Sequence, residues 1–262
     1  MPRPDIRPTH RLRSAIGLLG SAALLVTASC GERQAPVQDP DASITVFAAA
    51  SLTAAFQEIG AAYTAAHPKT EVTLSFGASS ELVAQINQGA PADVFASADE
   101  KNMGKLEPGS VGEPADFATN RLEIIVAPGN PKRILGLADL GRSDVVFVSA
   151  SSEVPIGRYA QQALDAAGVS ATPKSLEASV KGIVSKVVLG EADAGIVYVT
   201  DVLAAGSKAQ GVEIPAAVNV VATYPIAVPA SAKHSDSAGR FVAFVLSAAG
   251  KQILAKYGFG TP

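Results

Sequence analysis

Short apolar, β-branched runs alternate with amphipathic stretches from residue 44 almost to the end of this chain, and that alternation leaves few folds open. Strands are expected at 44–48, 72–76, 93–97, 122–127, 144–148 and 194–199, with 218–222 and 226–228 flanking Thr223-Tyr224-Pro225. Helices are expected at about 52–65, from Ser79 to Asn87, near Asp99, at 157–167, at 180–189 and after Thr200, and two more at 235–246 and 248–256 finish the chain. Gly89, Gly168 and Gly190 stand as helix stops, and Pro128-Gly129-Asn130-Pro131 marks a turn. Strands this short and apolar suit burial on both faces, so the pattern predicts an α/β fold with parallel sheets. The pattern runs through twice, which predicts two α/β lobes facing a cleft. Ligands of such folds sit beyond the carboxyl ends of strands, where helix N-termini converge.

Two strand-to-helix junctions carry serine. Ile44-Thr45-Val46-Phe47-Ala48-Ala49-Ala50-Ser51-Leu52 is the first, and Phe76-Gly77-Ala78-Ser79-Ser80 is the second. A hydroxyl at a helix start can point at an anion beside free backbone N–H groups and the positive end of the helix dipole. Serine is also a common plain N-cap, so both readings stand at each position, with Ser80 as the neighbour that would replace Ser79 in a register shifted by one.

The first residues say where the chain works. Arg3, Arg7, Arg11 and Arg13 precede an apolar run over 15–26, then Thr27-Ala28-Ser29-Cys30. This is a charged n-region, a short h-region and a small-residue cleavage zone, and the run is too short to span a membrane. Cys30 is the only cysteine, so no disulfide framework is available. Placed directly after small residues, it resembles the lipid-attachment site of bacterial lipoproteins; an ordinary signal peptide with an incidental cysteine is the alternative. Residues 1–29 are thus expected to be a lipoprotein signal peptide, and 30–42, with Pro36 and Pro40, the lipidated cysteine and a flexible tether. Beyond Ala42 no apolar run is long enough to cross a bilayer, which places the folded part outside the cytoplasm, held near a membrane.

Charge narrows the function classes. Without the four arginines and one aspartate of residues 1–29, the totals of 21 basic and 24 acidic residues fall to 17 and 23, a net −6. Any anion site must therefore work through local dipoles against the overall field. The absence of a Lys/Arg cluster and the small number of aromatics to stack on bases argue against nucleic-acid binding. Only His10, His67 and His234 occur, no serine sits in a G-x-S-x-G elbow, and no histidines stand at metal spacing. A secreted serine-dependent hydrolase is kept only as a distant alternative.

Ordered blocks then carry a family resemblance. Thr45-Val46-Phe47-Ala48-Ala49-Ala50-Ser51-Leu52-Thr53 resembles the start of the periplasmic molybdate-binding proteins of ABC transporters. So do Ser75-Phe76-Gly77-Ala78-Ser79-Ser80-Glu81-Leu82 and the stretch from Gly89 to Ala98. Val154-Pro155-Ile156-Gly157-Arg158-Tyr159, Val180-Lys181-Gly182, Gly195-Ile196-Val197-Tyr198 and Lys256-Tyr257-Gly258-Phe259 follow in the family's order. The resemblance implies the two-lobed periplasmic-binding-protein fold of type II, with lobe I at 43–120 and 225–262 and lobe II at 121–224. It implies a tetrahedral dianion held by the hydroxyls of Ser51 and Ser79, the backbone amides of Ile156 and Val180, and the hydroxyl of Tyr198. Molybdenum would be bound as its oxyanion through these residues, with no direct cation ligands and no cofactor. The implied protein is a monomeric, lipid-anchored receptor that captures molybdate or tungstate and delivers it to the membrane permease and ATPase of an ABC importer. A receptor for another oxyanion such as sulfate is the alternative.

The chain departs from the family pattern at Ile156, where alanine is usual, and at Glu81, which is expected to face solvent so as not to repel a dianion. Tyr198 has a second reading as a core tyrosine satisfied nearby. Asp93 is expected to orient the cleft loop. Lys181, Arg158 and Arg121 read either as long-range attraction for an anion or as solvated surface charges.

Overall fold

The computed structural model describes residues 42–109 and 111–262. The expected signal peptide, Cys30 and the tether up to residue 41 lie outside the described residues. The first half opens with β1 (Ala42–Ala49), a 3-10 turn at Ala50–Leu52, α1 (Thr53–Ala66), β2 (Thr70–Gly77), α2 (Ser79–Asn87), β3 (Val94–Ala96) and α3 (Glu100–Met103). A 16-residue strand, β4 (Val111–Val126), then leads into β5 (Phe147–Ala150), α4 (Pro155–Ala166), β6 (Ser175–Glu177), α5 (Val180–Val188), β7 (Ala194–Tyr198), α6 (Val199–Ala205) and β8 (Gln210–Glu213). The chain returns through β9 (Val221–Val228) and ends with α7 (Ser235–Leu246) and α8 (Ala248–Lys256).

The strands run in the order β2-β1-β3-β9-β4-β7-β5-β6, with β8 added to β4. In the first half β2, β1 and β3 are parallel and β9 joins them antiparallel. In the second half β6, β5 and β7 are parallel and β4 joins them antiparallel. The antiparallel pair β4–β9 lies between the two halves. This is the α/β architecture of the sequence reading, a mixed sheet flanked by helices in each half.

β1 shows why such a strand reads as a continuous apolar run. Ile44, Val46 and Ala48 pack into the main core, while Phe47 on the opposite face joins Leu82, Val83 and Phe95 in a smaller one. Under α1, Phe56 and Tyr63 meet Phe241 of α7 edge-on at 6.4 and 5.2 Å between ring centres. Helix α4 lies so close to the end of β5 that a Cβ on Gly157 would overlap the carbonyl oxygens of Ala150 and Ser151.

Several expectations change. The strand expected at 144–148 starts only at Phe147 and runs to Ala150. The strand expected at 122–127 is only the far end of β4, because the polar residues Asp116, Thr119, Asn120 and Arg121 obscured its first part. There it pairs with β9 from Arg121↔Val221 back to Val111↔Val228. The segment Thr223-Tyr224-Pro225 does not interrupt a strand but lies within β9. Pro225 has no N–H to offer a ladder, and it sits where the register slips between Asp116 and Ala118. Its carbonyl still accepts from the Ser97 N–H at 2.9 Å. The short strands β6 and β8 were not expected; with three and four residues they are too brief to show a period. Among the described residues no single helix is long and apolar enough to cross a membrane.

Candidate functional site

All six parallel strands release their chains toward one cavity. Residues after β1, β2 and β3 line it from the first half: Ala49 to Ser51, Gly77 to Ser79, and Ala98. From the second half come Val154 to Ile156 after β5, Ser179 and Val180 after β6, and Tyr198 at the end of β7. The space between them is small, about 20 Å³. Ser51, Ser79, Ile156, Val180 and Tyr198, far apart in sequence, all meet at this cavity.

Neither serine caps its own helix. Ser79 is the first residue of α2, whose N-cap is Ala78, and its Oγ accepts from the Ala98 N–H at 3.0 Å. Ser51 lies within the 3-10 turn and its Oγ is 3.1 Å from the Tyr224 hydroxyl. The plain N-cap reading is therefore removed for both. With an interior donor already on its oxygen, the Ser79 hydroxyl has its proton left to give. Ser80 is half-buried and, unlike Ser79, does not line the cavity.

The two amides come from helix starts. Pro155 and Ile156 are the first two residues of α4, and Val180 is the first of α5. N–H groups in a first turn have no intrahelical acceptor. Neither helix receives a side-chain cap, although Ser179 occupies the N-cap of α5. Their donors and dipoles face the cavity without a cation being needed.

Tyr198 is 1% exposed, and its hydroxyl interacts with that of Tyr224 but makes no hydrogen bond of ordinary geometry. A buried tyrosine usually makes one, so this hydroxyl has a proton to spare at the cavity it lines. Burial, then the neighbouring Tyr224, pushes its ionisation well above the ordinary phenol range, which keeps it a donor. Ile156 is 1% exposed and forms part of the cavity wall where alanine was the family's usual choice. Glu81 is exposed, as its charge requires.

The charged residues near the site are mostly paired. The Lys181 ammonium lies 3.1 Å from the buried Asp201 carboxylate, whose other oxygen accepts from the Tyr198 N–H at 3.3 Å. Burial raises the Asp201 carboxyl while Lys181 pulls it back down. Arg158 is not a free surface charge either, since it pairs with Asp99, whose side chain is 1% exposed. This pair joins the second half to the first, as does Lys105 with Glu153 at 3.3 Å. Arg121 is exposed. Asp93, expected to orient the cleft loop, does not line the cavity; it accepts from the Thr45 and His234 N–H groups at 2.9 Å each and so ties β1 to the start of α7. Among the described residues no group of His, Cys, Asp and Glu gathers as a cation site.

Sequence reasoning passed over Tyr224, Asn120 and Thr200, which form a buried polar group behind Ser51. Tyr224 was hidden by Pro225, which reads as a breaker, and Asn120 and Thr200 belong to no motif. Asp201 had one usable signal, a carboxylate three residues into a helix start.

Residues 44–260 match the family described as bacterial extracellular solute-binding protein. The molybdate-binding protein ModA of Mycobacterium tuberculosis is 41% identical over 254 residues, covering 94% of this chain and 97% of that protein. ModA of Haemophilus influenzae is 32% identical over 231 residues, covering 83% of this chain and 90% of its own length. The periplasmic molybdate-binding protein of Azotobacter vinelandii shares the fold, with a TM-score of 0.69 at 22% identity over 84% of this chain and 99% of that one.

Proposed function

The chain belongs to the bacterial extracellular solute-binding protein family, and from that premise we propose that it captures molybdate outside the cytoplasm for an ABC importer. It is a binding protein, not an enzyme, and its partners are the oxyanion and the importer's permease and ATPase. The observation that carries the reading is the meeting of five residues able to offer neutral donors, from the carboxyl ends of strands in both halves, around one small cavity. Ser51, Ser79 and Tyr198 supply hydroxyls, and Ile156 and Val180 supply backbone amides. Hydrogen bonds to an ionised acceptor are about twice as strong as neutral ones, so such a set can hold a dianion without a counter-charge. It also avoids the desolvation cost of burying an arginine or lysine. A cavity lined by donors favours an anion with every oxygen deprotonated, and disfavours hydrogen phosphate, which needs an acceptor for its proton.

We extend the reading to tungstate, which has the same shape and charge, and to a monomer tethered through a lipid on Cys30. Isothermal titration calorimetry on the purified protein tests it, with molybdate, tungstate, sulfate and phosphate added in turn. One-to-one binding of molybdate and tungstate with sulfate and phosphate silent is expected. Ser51→Ala and Tyr198→Phe should each weaken molybdate by about 1–3 kcal/mol, the cost of a bond to a charged group. Silence from molybdate overturns the function, and unchanged affinity in both variants overturns the site.

A further inference from the structure

We propose that Tyr224 is a positioning residue for anion capture: with Asn120 it fixes the direction of the Ser51 hydroxyl, so that Ser51 acts toward the cavity only as a donor. The inference rests on Ser51 being an oxyanion ligand, as proposed above.

The direction follows from one amide. Asn120 Oδ1 accepts from the Arg121 N–H at 3.0 Å, which turns Nδ2 toward the Thr200 hydroxyl at 2.8 Å and the Tyr224 hydroxyl at a longer 3.5 Å. The reversed amide would set N–H against N–H at Arg121. An amide nitrogen donates only, so Asn120 offers Tyr224 no acceptor. The Tyr198 hydroxyl interacts with Tyr224 but outside hydrogen-bond geometry, which makes it the poorer acceptor. The acceptor within hydrogen-bond range for the Tyr224 proton is Ser51 Oγ, at 3.1 Å. Ser51 then carries its own proton on the side away from Tyr224, and Ser51 lines the cavity.

Water cannot easily relax this order, because Ser51, Asn120, Thr200 and Tyr224 are between 0 and 7% exposed. Ser79 reaches the same polarity by a shorter route, through the Ala98 N–H. A protonated oxyanion facing Ser51 would need the serine to accept. Ser51 would then have to turn its proton back on Tyr224 and leave the phenol proton without a partner in the interior. Tyr224 thus contributes to discrimination between deprotonated and protonated anions without touching either.

The ring is held independently of its hydroxyl. Phe117, Tyr198 and Phe259 stand edge-on around it at 6.3, 5.9 and 5.5 Å. Tyr224→Phe therefore removes the donor and keeps the packing. Calorimetry would compare the purified protein, Tyr224→Phe, Ser51→Ala and the double variant, with molybdate and inorganic phosphate as probes and circular dichroism melts as the check on folding. Tyr224→Phe should weaken molybdate by roughly 5- to 20-fold and lower the molybdate-to-phosphate affinity ratio, whereas in the Ser51→Ala background it should change affinity by less than about twofold. Asn120→Ala frees the same hydroxyl by another route and should lower the ratio even if Tyr224→Phe folds poorly. Unchanged binding in Tyr224→Phe overturns the inference, as does an equal loss with and without Ser51, which would make Tyr224 a packing residue only. If the unaltered protein binds no molybdate, the proposed function falls first and this inference with it.

Discussion

Helices α3 and α8 begin with a side chain on their free amides; helices α2, α4 and α5 do not. Asp99 accepts from the Asn102 N–H at 2.8 Å at the start of α3, and Ser247 from the Gly250 N–H at 3.3 Å at the start of α8. The N-caps of α2, α4 and α5 are Ala78, Val154 and Ser179, and none of them supplies such a bond. The starts of α2, α4 and α5 open onto the cavity, whereas α3 starts just beyond the lining residue Ala98 and α8 lies away from it; α7, whose N-cap His234 also supplies no such bond, does not reach the cavity. A missing N-cap costs about 1 kcal/mol, so the fold gives up stability at the three places where an anion would provide the missing acceptor. Ser179 sharpens the point. It is a residue that caps well, stands at the N-cap position, and leaves the amides free.

The comparison can be broken most severely by capping α2 from within. Ala78→Asp would place a carboxylate at the N-cap, satisfying the helix while setting like charge against the ligand. Molybdate binding should fall by about 3 kcal/mol or more, over 100-fold, with melting temperature held or raised; calorimetry and a melt read both. Ser79→Ala comes next, with a loss of about 1–3 kcal/mol in affinity by the same titration, since it removes one donor and leaves the cavity shape. Ser247→Ala, on the capped side, should cost about 1 kcal/mol in a urea titration and leave anion affinity unchanged. The smallest effect is expected from alkali. Burial raises the ionisation of Tyr198 and Tyr224 above that of the unfolded chain, near 10, so the stability they contribute is complete below that pH and is lost only as pH climbs beyond it. Affinity and melting temperature should therefore stay level between about pH 7 and 9, and the melt should fall above about pH 10.

The same division explains what could be read in advance. Helices α2, α7 and α8 were expected with their observed ends, because glycine stops, a serine start and a 3.6-residue apolar period mark them locally. Around the cavity, Ser51 and Ser79 were marked by their strand-to-helix junctions, whereas Ile156, Val180 and Tyr198 were reached only through the family resemblance. What stayed hidden depends on partners distant in sequence. The polar first part of β4 is a strand because β9 pairs with it, about 100 residues later. Arg158 looks like a surface charge until the fold brings Asp99 beside it. Tyr224 and Asn120 matter through Ser51 and Thr200, and no spacing announces such a group.

The strand order has a consequence for how the chain reaches this structure. The second half, from the far end of β4 through β8, is continuous, so its strands can find one another as neighbours in sequence. The first half is made of the two ends of the folded chain, and it lacks its antiparallel strand until β9 exists. Phe56 and Tyr63 stay uncovered until Phe241 has joined them. Closing so long a loop delays the contacts that reward it, so pulsed hydrogen exchange during refolding should protect β5 and β7 before β1 and β3. The two serines proposed to hold the anion stand in the half completed last, so on that reading capture becomes possible only when both ends of the chain have met.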